Sequence, residues 1–318
     1  MTPVRDHGGA LDDAIARWGG DRDAWLDLST GINPVPYPVG AVSYTAWETL
    51  PDRAATERLT DAARAFWSVP PEAAVIAVPG ASAAIARLPA LCGTGPVHIP
   101  EPTYNEHRAA FEAQGRPVTG DPAAEVHVYV HPNNPDGRLW PDSAIGGRAV
   151  TVIDESFCDV RPDNSHVRRA AEDGVVVLKS FGKFWGLAGA RLGVVIGDRA
   201  VLAPDGRPGL ADLLGPWAAS GPALEIGARA LEDSGWAATT RRRLAEDARR
   251  LDGLMTGAGA AVAGGTDLFR LYEVDDAVAW RDRLAAARIL GRIFPYSSRW
   301  LRLGLPGPDD WDRLEAAL

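Results

Sequence analysis

Lysine occurs at only two positions in the 318-residue chain, Lys179 and Lys183. Both fall in one segment, Val175-Val-Val-Leu-Lys-Ser-Phe-Gly-Lys-Phe-Trp-Gly-Leu-Ala-Gly-Ala-Arg-Leu-Gly193. Of 33 Lys and Arg together, 2 are Lys, which leaves 31 Arg. Arginine serves surface ion pairing as well as lysine does, but its guanidinium stays protonated. A desolvated lysine amine can instead act as a nucleophile and form a Schiff base with a carbonyl. Drift toward arginine codons accounts for the missing lysines. It does not account for two survivors four residues apart beside an apolar run, and one of the pair is expected to do covalent chemistry.

Five other segments carry residue types suited to binding. Pro79-Gly-Ala-Ser82 is a turn before a helix-like run, where the backbone N–H groups of Ala81 and Ser82 suit a phosphate; taken alone, most Gly-x-Ser turns are only turns. Glu101-Pro-Thr-Tyr104 sets a Tyr after a Pro turn, its ring either against a planar group or in the core. In His131-Pro-Asn-Asn-Pro-Asp-Gly137, two Asn between two Pro pin an irregular loop and aim amide groups, more than a plain turn requires. Asp154-Glu-Ser-Phe157 ends an apolar run; a buried carboxylate there needs a partner for its charge, and a protonated ring nitrogen is one. Arg299-Trp-Leu-Arg302 supplies guanidinium groups near the C-terminus.

The elements that must position these residues read as α/β. Short, β-branched, nearly continuous apolar runs at Ala74–Val78, Val97–Ile99, Val126–Val130, Ala149–Ile153, Val175–Leu178 and Leu192–Ile196 predict strands covered by helices on both faces. Helical patterns fall at 54–66, 83–91, 105–114 and, broken near Ser234-Gly235, at 224–254. After Gly264 the order is strand (268–274), helix (277–287), strand (299–305) and helix (309–318), which reads as a second, smaller α+β domain. The chemistry-bearing segments then lie at strand ends or in loops, where α/β folds place ligands.

Composition removes several classes. A net charge of −9 argues against a nucleic-acid partner. Two cysteines, Cys92 and Cys158, are too few for a disulfide framework or a structural zinc site, and no metal is expected. No apolar run approaches the roughly 20 residues of a membrane span, and the N-terminus lacks the apolar core of a signal peptide, so the protein is expected to be soluble and cytoplasmic. A Rossmann dinucleotide site is disfavoured, because Gly186-x-x-Gly189 lacks the Gly-x-Gly spacing.

Together and in this order, the six segments resemble the fold-type I pyridoxal-phosphate enzymes of the aminotransferase class I/II group. His131–Gly137 is similar to that group's Asn-Pro-x-Asn-Pro-Thr-Gly loop, with His131 and Asp136 as departures. Asp154–Phe157 is similar to its Asp-Glu-Ala-Tyr/Phe strand end. The lysine segment is similar to its Ser-Phe-Ser-Lys-x-x-Gly-Leu-x-Gly-x-Arg-x-Gly signature, with Gly182 in place of a Ser. The resemblance implies an aspartate-aminotransferase-like fold: a large domain with a mostly parallel sheet between helices at residues 36–235, and a small α+β domain built from 1–35 and 236–318. It also implies a homodimer with pyridoxal 5'-phosphate as cofactor. Residue by residue, it makes Lys183 the Schiff-base lysine and Lys179 a structural residue. Asp154 would face the ring nitrogen, Asn134 the ring hydroxyl and Tyr104 the ring plane. Ala81, Ser82, Ser180 and Arg191 would hold the cofactor phosphate, and Arg302 the substrate carboxylate. Phe157 replaces a frequent Tyr, removing one hydroxyl partner, and Leu50 replaces a Tyr that in many members reaches the partner subunit.

Within the group, His7-Gly-Gly9, the segment Leu26-Asp-Leu-Ser-Thr-Gly-Ile-Asn-Pro34, Phe157 and Asp233-Ser-Gly-Trp236 resemble the threonine-phosphate decarboxylase branch of cobalamin biosynthesis. That resemblance implies decarboxylation of L-threonine O-3-phosphate to (R)-1-amino-2-propanol O-2-phosphate, with His7, Asn33 and Arg299 at the substrate phosphate. An aminotransferase of the histidinol-phosphate type would use the same residues, and a catalytically silent scaffold of the same pathway is a third reading.

Overall fold

Val126–Val130, Val150–Asp154 and Gly193–Gly197 are buried along their whole length, as strands packed on both faces must be. The computed structural model describes residues 7–318. Seven strands form one sheet in the spatial order Ala74–Val78, Gly193–Gly197, Val175–Ser180, Val150–Asp154, Val126–Val130, Val97–His98, Val118–Thr119. Gly193–Gly197 runs antiparallel to both neighbours; the other pairings are parallel, so six strands share one direction. The fold is the α/β class with a mostly parallel large sheet that the apolar runs predict.

This sheet lies in a compact unit comprising Pro36–Asn134 and Leu139–Ala238. Its helices start where polar caps satisfy the first N–H groups. Asp52 accepts from Ala55 N to open Arg53–Phe66, and Ser220 accepts from Ala223 N to open Gly221–Glu232, with Pro222 in the first turn. The break in the long helical stretch comes at Asp233, whose carboxylate accepts from Trp236 N as the helix Ser234–Gly257 begins. The helical run predicted over 83–91 is two short helices, Ala81–Ile85 and Leu88–Leu91. Pro89, which has no N–H to give, sits in the first turn of the second.

The second unit holds the described residues up to Val35, the short segment Pro135–Arg138, and Thr239–Leu318. An antiparallel sheet runs Arg292–Phe294, Ser297–Gly304, Phe269–Glu273, Ala261–Thr266. A two-residue parallel pair, Leu26–Asp27 with Ile289–Leu290, joins the N-terminal segment to the C-terminal part. Leu11 and Ala14 of the helix Leu11–Trp18 pack with Trp25, Ala285 and Leu290 into a small core. Among the described residues no helix is long and apolar enough to cross a membrane.

Candidate active site

Strand direction in the large unit gathers the cofactor candidates at one edge. Val78, Gly193 and Ser180 sit in one row, with Asp154 in register with Leu178 and Val130. The six like-directed strands therefore present their carboxyl ends together. Ala81 and Ser82 follow Val78, Tyr104 follows Val97–His98, Asn134 follows Val130, and Lys183 follows Ser180. Gly193–Gly197 runs the other way, so Arg191, just before it, arrives at the same edge.

Detail at that edge is specific. Arg191 adopts a left-handed backbone (φ 49°) and packs its guanidinium over Gly80; a Cβ there would meet Nη2 at 2.6 Å, so this turn (φ +83°) requires glycine. Arg191 and Ser82 are exposed, forming an open cationic and hydroxyl-bearing cup beside the start of Ala81–Ile85. Ser180 Oγ accepts from Gly182 N at 3.1 Å, and Lys183 Nζ lies 5.2 Å from the centre of the Phe157 ring. Tyr104 stands edge-on to His107, with ring centroids 6.2 Å apart.

Asp154 has protein partners that the motif did not disclose. His107 Nε2 lies 2.8 Å from Oδ2, and the hydroxyl and backbone N–H of Ser156 both donate to Oδ1. Burial alone would push this carboxyl up; the bonds to His107 and Ser156 outweigh it and hold it below its ordinary value. An ionised carboxylate is thereby kept at the sheet edge. A clue to His107 was present: it lies three residues past Tyr104 on a predicted helix, and a buried carboxylate needs a partner.

Lys179 points into the protein interior. Its Nζ lies 2.6 Å from Glu155 Oε2 and 3.3 Å from Asp159 Oδ1, and the three side chains are at most 5% exposed. Ser165 Oγ and His166 N complete Glu155, while the indole N–H groups of Trp67 and Trp185 donate to Asp159. Burial opposes the ammonium, but the two carboxylates prevail and raise its pKa above the ordinary lysine value. A lysine held protonated in this way is no nucleophile.

His131, where the resembled loop has Asn, is buried. Nδ1 accepts from Trp140 N at 3.0 Å, so Nε2 carries the proton given to Asn164 O at 2.8 Å. Burial lowers its pKa from 6.5, and burial does the same at His127 in the preceding strand. The unfolded chain then takes up protons that the folded one refuses, so stability is intact above about pH 6.5 and falls as pH drops through the histidine range. Denaturation midpoints are expected to be lower at about pH 5.5 than at about pH 7.5; equal midpoints would contradict this assignment.

In the small unit the substrate candidates converge on Ser29. Gly9 N donates to Ser29 Oγ at 2.7 Å, and Gly8 approaches so closely that a Cβ would meet Ser29 O at 2.3 Å. This lays the segment beginning at the exposed His7 along Ser29 and Thr30. Arg302, 2% exposed, donates from Nη2 to Ser29 O. Asn33 lies further along the same segment and is buried. Arg299 is not brought to this group. Alternation along the strand turns it to the opposite face from Arg302, where it is exposed and paired with Glu273 at 3.0 Å. The guanidinium directly across from Arg302 is Arg292, its partner in the antiparallel register. Like charges opposite each other on adjacent strands are unfavourable unless an anion offsets them. Arg292 went unread because its three-residue strand leaves no periodic signal, and only the register discloses its neighbour.

A model of the aminotransferase class I and II family matches residues 125–317. Threonine-phosphate decarboxylase from a Sinorhizobium species is 40% identical over 323 residues, covering 95% of this chain and 93% of that protein. A protein of the same name from Pseudomonas aeruginosa is 36% identical, covering 98% and 97%. Among solved structures, histidinol-phosphate aminotransferase from Sinorhizobium meliloti, in complex with pyridoxal-5'-phosphate, is similar with a TM-score of 0.82 at 18% identity. That match covers 100% of this chain and 96% of the other.

Proposed function

The chain belongs to the class I and II aminotransferase family, and from that premise we propose that it is a pyridoxal-phosphate-dependent decarboxylase. Its substrate is L-threonine O-3-phosphate and its product (R)-1-amino-2-propanol O-2-phosphate, a step of cobalamin biosynthesis carried out in the cytoplasm. The observation that carries the reading is the facing pair Arg292 and Arg302, in register on adjacent strands, a cationic pair suited to a strongly anionic substrate. The two full-length relatives supply the identity of that substrate.

The residues at the sheet edge fit the cofactor. The cradle at Gly80 leaves the Arg191 guanidinium for a phosphate, with Ala81 N, Ser82 and Ser180 beside it. Asp154, kept ionised, suits a protonated ring nitrogen; Asn134 would face the ring hydroxyl, Tyr104 the ring, and Lys183 would make the covalent attachment. When bound, the cofactor withdraws electrons from the bond broken at the substrate Cα. The protein decides which bond that is. Arg302 grips the carboxylate, while Arg292, Asn33 and His7 hold the phosphate and so set the angle of the carbon–carbon bond. Carbon dioxide leaves, and Lys183 Nζ delivers the proton that Cα gains.

Arg302→Ala should lower kcat/KM by about a hundredfold, the loss of a charge-assisted contact. Arg299→Ala should leave it within about twofold, as for a surface ion pair. Comparable losses in the two variants would refute the assignment. Threonine lacking the phosphate should be turned over on the order of 10³-fold less efficiently, because Arg292, Asn33 and His7 then lose the group they are proposed to hold; equal efficiency would refute the phosphorylated substrate.

The working unit is proposed to be a homodimer. On the large unit Tyr44, Trp47 (68% exposed), Leu50 and Trp217 (58% exposed) are large apolar side chains in solvent. Trp217 also borders a groove of about 590 Å³ with Pro51, Ile76, Leu214 and Leu224. Apolar patches of this kind mark association surfaces. Sedimentation should show two chains per particle for the wild type and one for Trp47→Glu/Trp217→Glu; a monomeric wild type would contradict this.

A further inference from the structure

The loop His131–Gly137 carries two adjacent asparagines, of which Asn134 is assigned to the ring hydroxyl. Its neighbour Asn133 is 0% exposed. Asn133 Oδ1 accepts from the Thr103 hydroxyl at 2.6 Å, and Nδ2 donates to Pro102 O at 3.0 Å. A carbonyl oxygen can only accept, so the amide nitrogen must face Pro102 O. That turns the amide oxygen to Thr103, whose hydroxyl can donate. One side chain thus bonds two consecutive residues of another loop, 30 and 31 positions back in the chain.

The two loops leave neighbouring strands of the large sheet. Val97–His98 and Val126–Val130 run parallel, with Val97 paired to Val126 and His98 to His127. Past those two rungs each chain continues to its own cofactor candidate, Tyr104 in one loop and Asn134 in the other. Thr103 immediately precedes Tyr104, as Asn133 precedes Asn134, so the bridge spans the loops one residue short of both groups. Two bonds from one planar amide fix an angle as well as a separation.

We propose that Asn133 is a positioning residue: through Thr103 and Pro102 it locks the Tyr104 loop to the Asn134 loop, and so sets the ring-plane group against the ring-hydroxyl group. The inference rests on the placement of Tyr104 and Asn134 at the cofactor given above, and not on which substrate is used. Arg302 and Arg292, assigned to the substrate's anionic groups, stand on strands of the other sheet. Loss of the bridge should therefore slow the chemical step and leave substrate affinity in place.

The test uses the holoenzyme. Thr103→Val removes the hydroxyl and nearly keeps the side chain's shape, Thr103→Ser keeps the hydroxyl, and Asn133→Ala removes both bonds. Thr103→Val should lower kcat about tenfold and leave KM for threonine phosphate within about twofold. Thr103→Ser should stay within about twofold of the wild type in both. The visible circular dichroism of the bound cofactor is read without turnover. It should lose intensity in Thr103→Val and Asn133→Ala and be retained in Thr103→Ser. The double variant Thr103→Val/Asn133→Ala should match Asn133→Ala, because the two residues act as one unit. An unaltered band and kcat in Thr103→Val, equal losses in the Val and Ser variants, or additive losses in the double variant would overturn the proposal. Asn134→Ala separates the two readings. If it alters the band while Thr103→Val and Asn133→Ala do not, the positioning role fails alone. If it leaves the band unaltered, the cofactor placement fails and the positioning role with it. The expected band losses in a protein that releases no carbon dioxide would support the bridge and sink the decarboxylase reading alone.

Discussion

Lys183→Ala is expected to lower turnover on the order of 10⁴-fold or more, because it removes the proposed covalent attachment point and proposed proton carrier at Cα. The residue lies at the carboxyl edge of the large sheet, three positions after Ser180 and beside Phe157. Its neighbours across the sheet bring Asp154 and Arg191 to the same edge. Borohydride treatment of the wild-type holoenzyme should fix the cofactor on the peptide containing Lys183, and peptide mass would show it. Label on any other residue, or a Lys183→Ala variant that still retains cofactor irreversibly after reduction, would contradict the assignment. Circular dichroism of the variant should match the wild type, since Lys183 is not part of the buried ion network.

Lys179→Met should do the opposite, leaving the attachment chemistry and damaging the fold. The substitution strands Glu155 and Asp159 as buried carboxylates, and breaking such a pair costs about 3–5 kcal/mol. Set against a typical total of about 5–15 kcal/mol, that is a large share of the stability. Urea denaturation should register the loss, and the molecules that remain folded should still carry cofactor on Lys183. Glu155→Gln added to Lys179→Met should restore part of the stability, because one stranded charge is then gone. An unaltered denaturation midpoint for Lys179→Met would refute the structural role.

These two lysines show how far the sequence could be read. Their scarcity singled out the segment, and the spacing to Ser180 and Arg191 separated Lys183 from Lys179 before any contact was known. Ala74–Val78, Val126–Val130, Val150–Asp154 and Gly193–Gly197 were legible because each is a largely apolar run of five residues. Two- and three-residue strands such as Leu26–Asp27 and Arg292–Phe294 carry no period, and their pairing comes from the tertiary fold. For that reason Arg292 was not read as facing Arg302, while Arg299, expected at the substrate, stands on the opposite face of its strand. His107 was hidden differently, since it acts by holding another side chain and its position belongs to no motif.

The central claim is most directly tested by incubating the holoenzyme with carboxyl-labelled L-threonine O-3-phosphate and no keto-acid acceptor. Stoichiometric release of labelled carbon dioxide with formation of 1-amino-2-propanol O-2-phosphate is the predicted result. Retention of the label, with a keto product appearing only once an acceptor is added, would establish an aminotransferase instead. Retention under both conditions would leave a silent protein and contradict the enzymatic account.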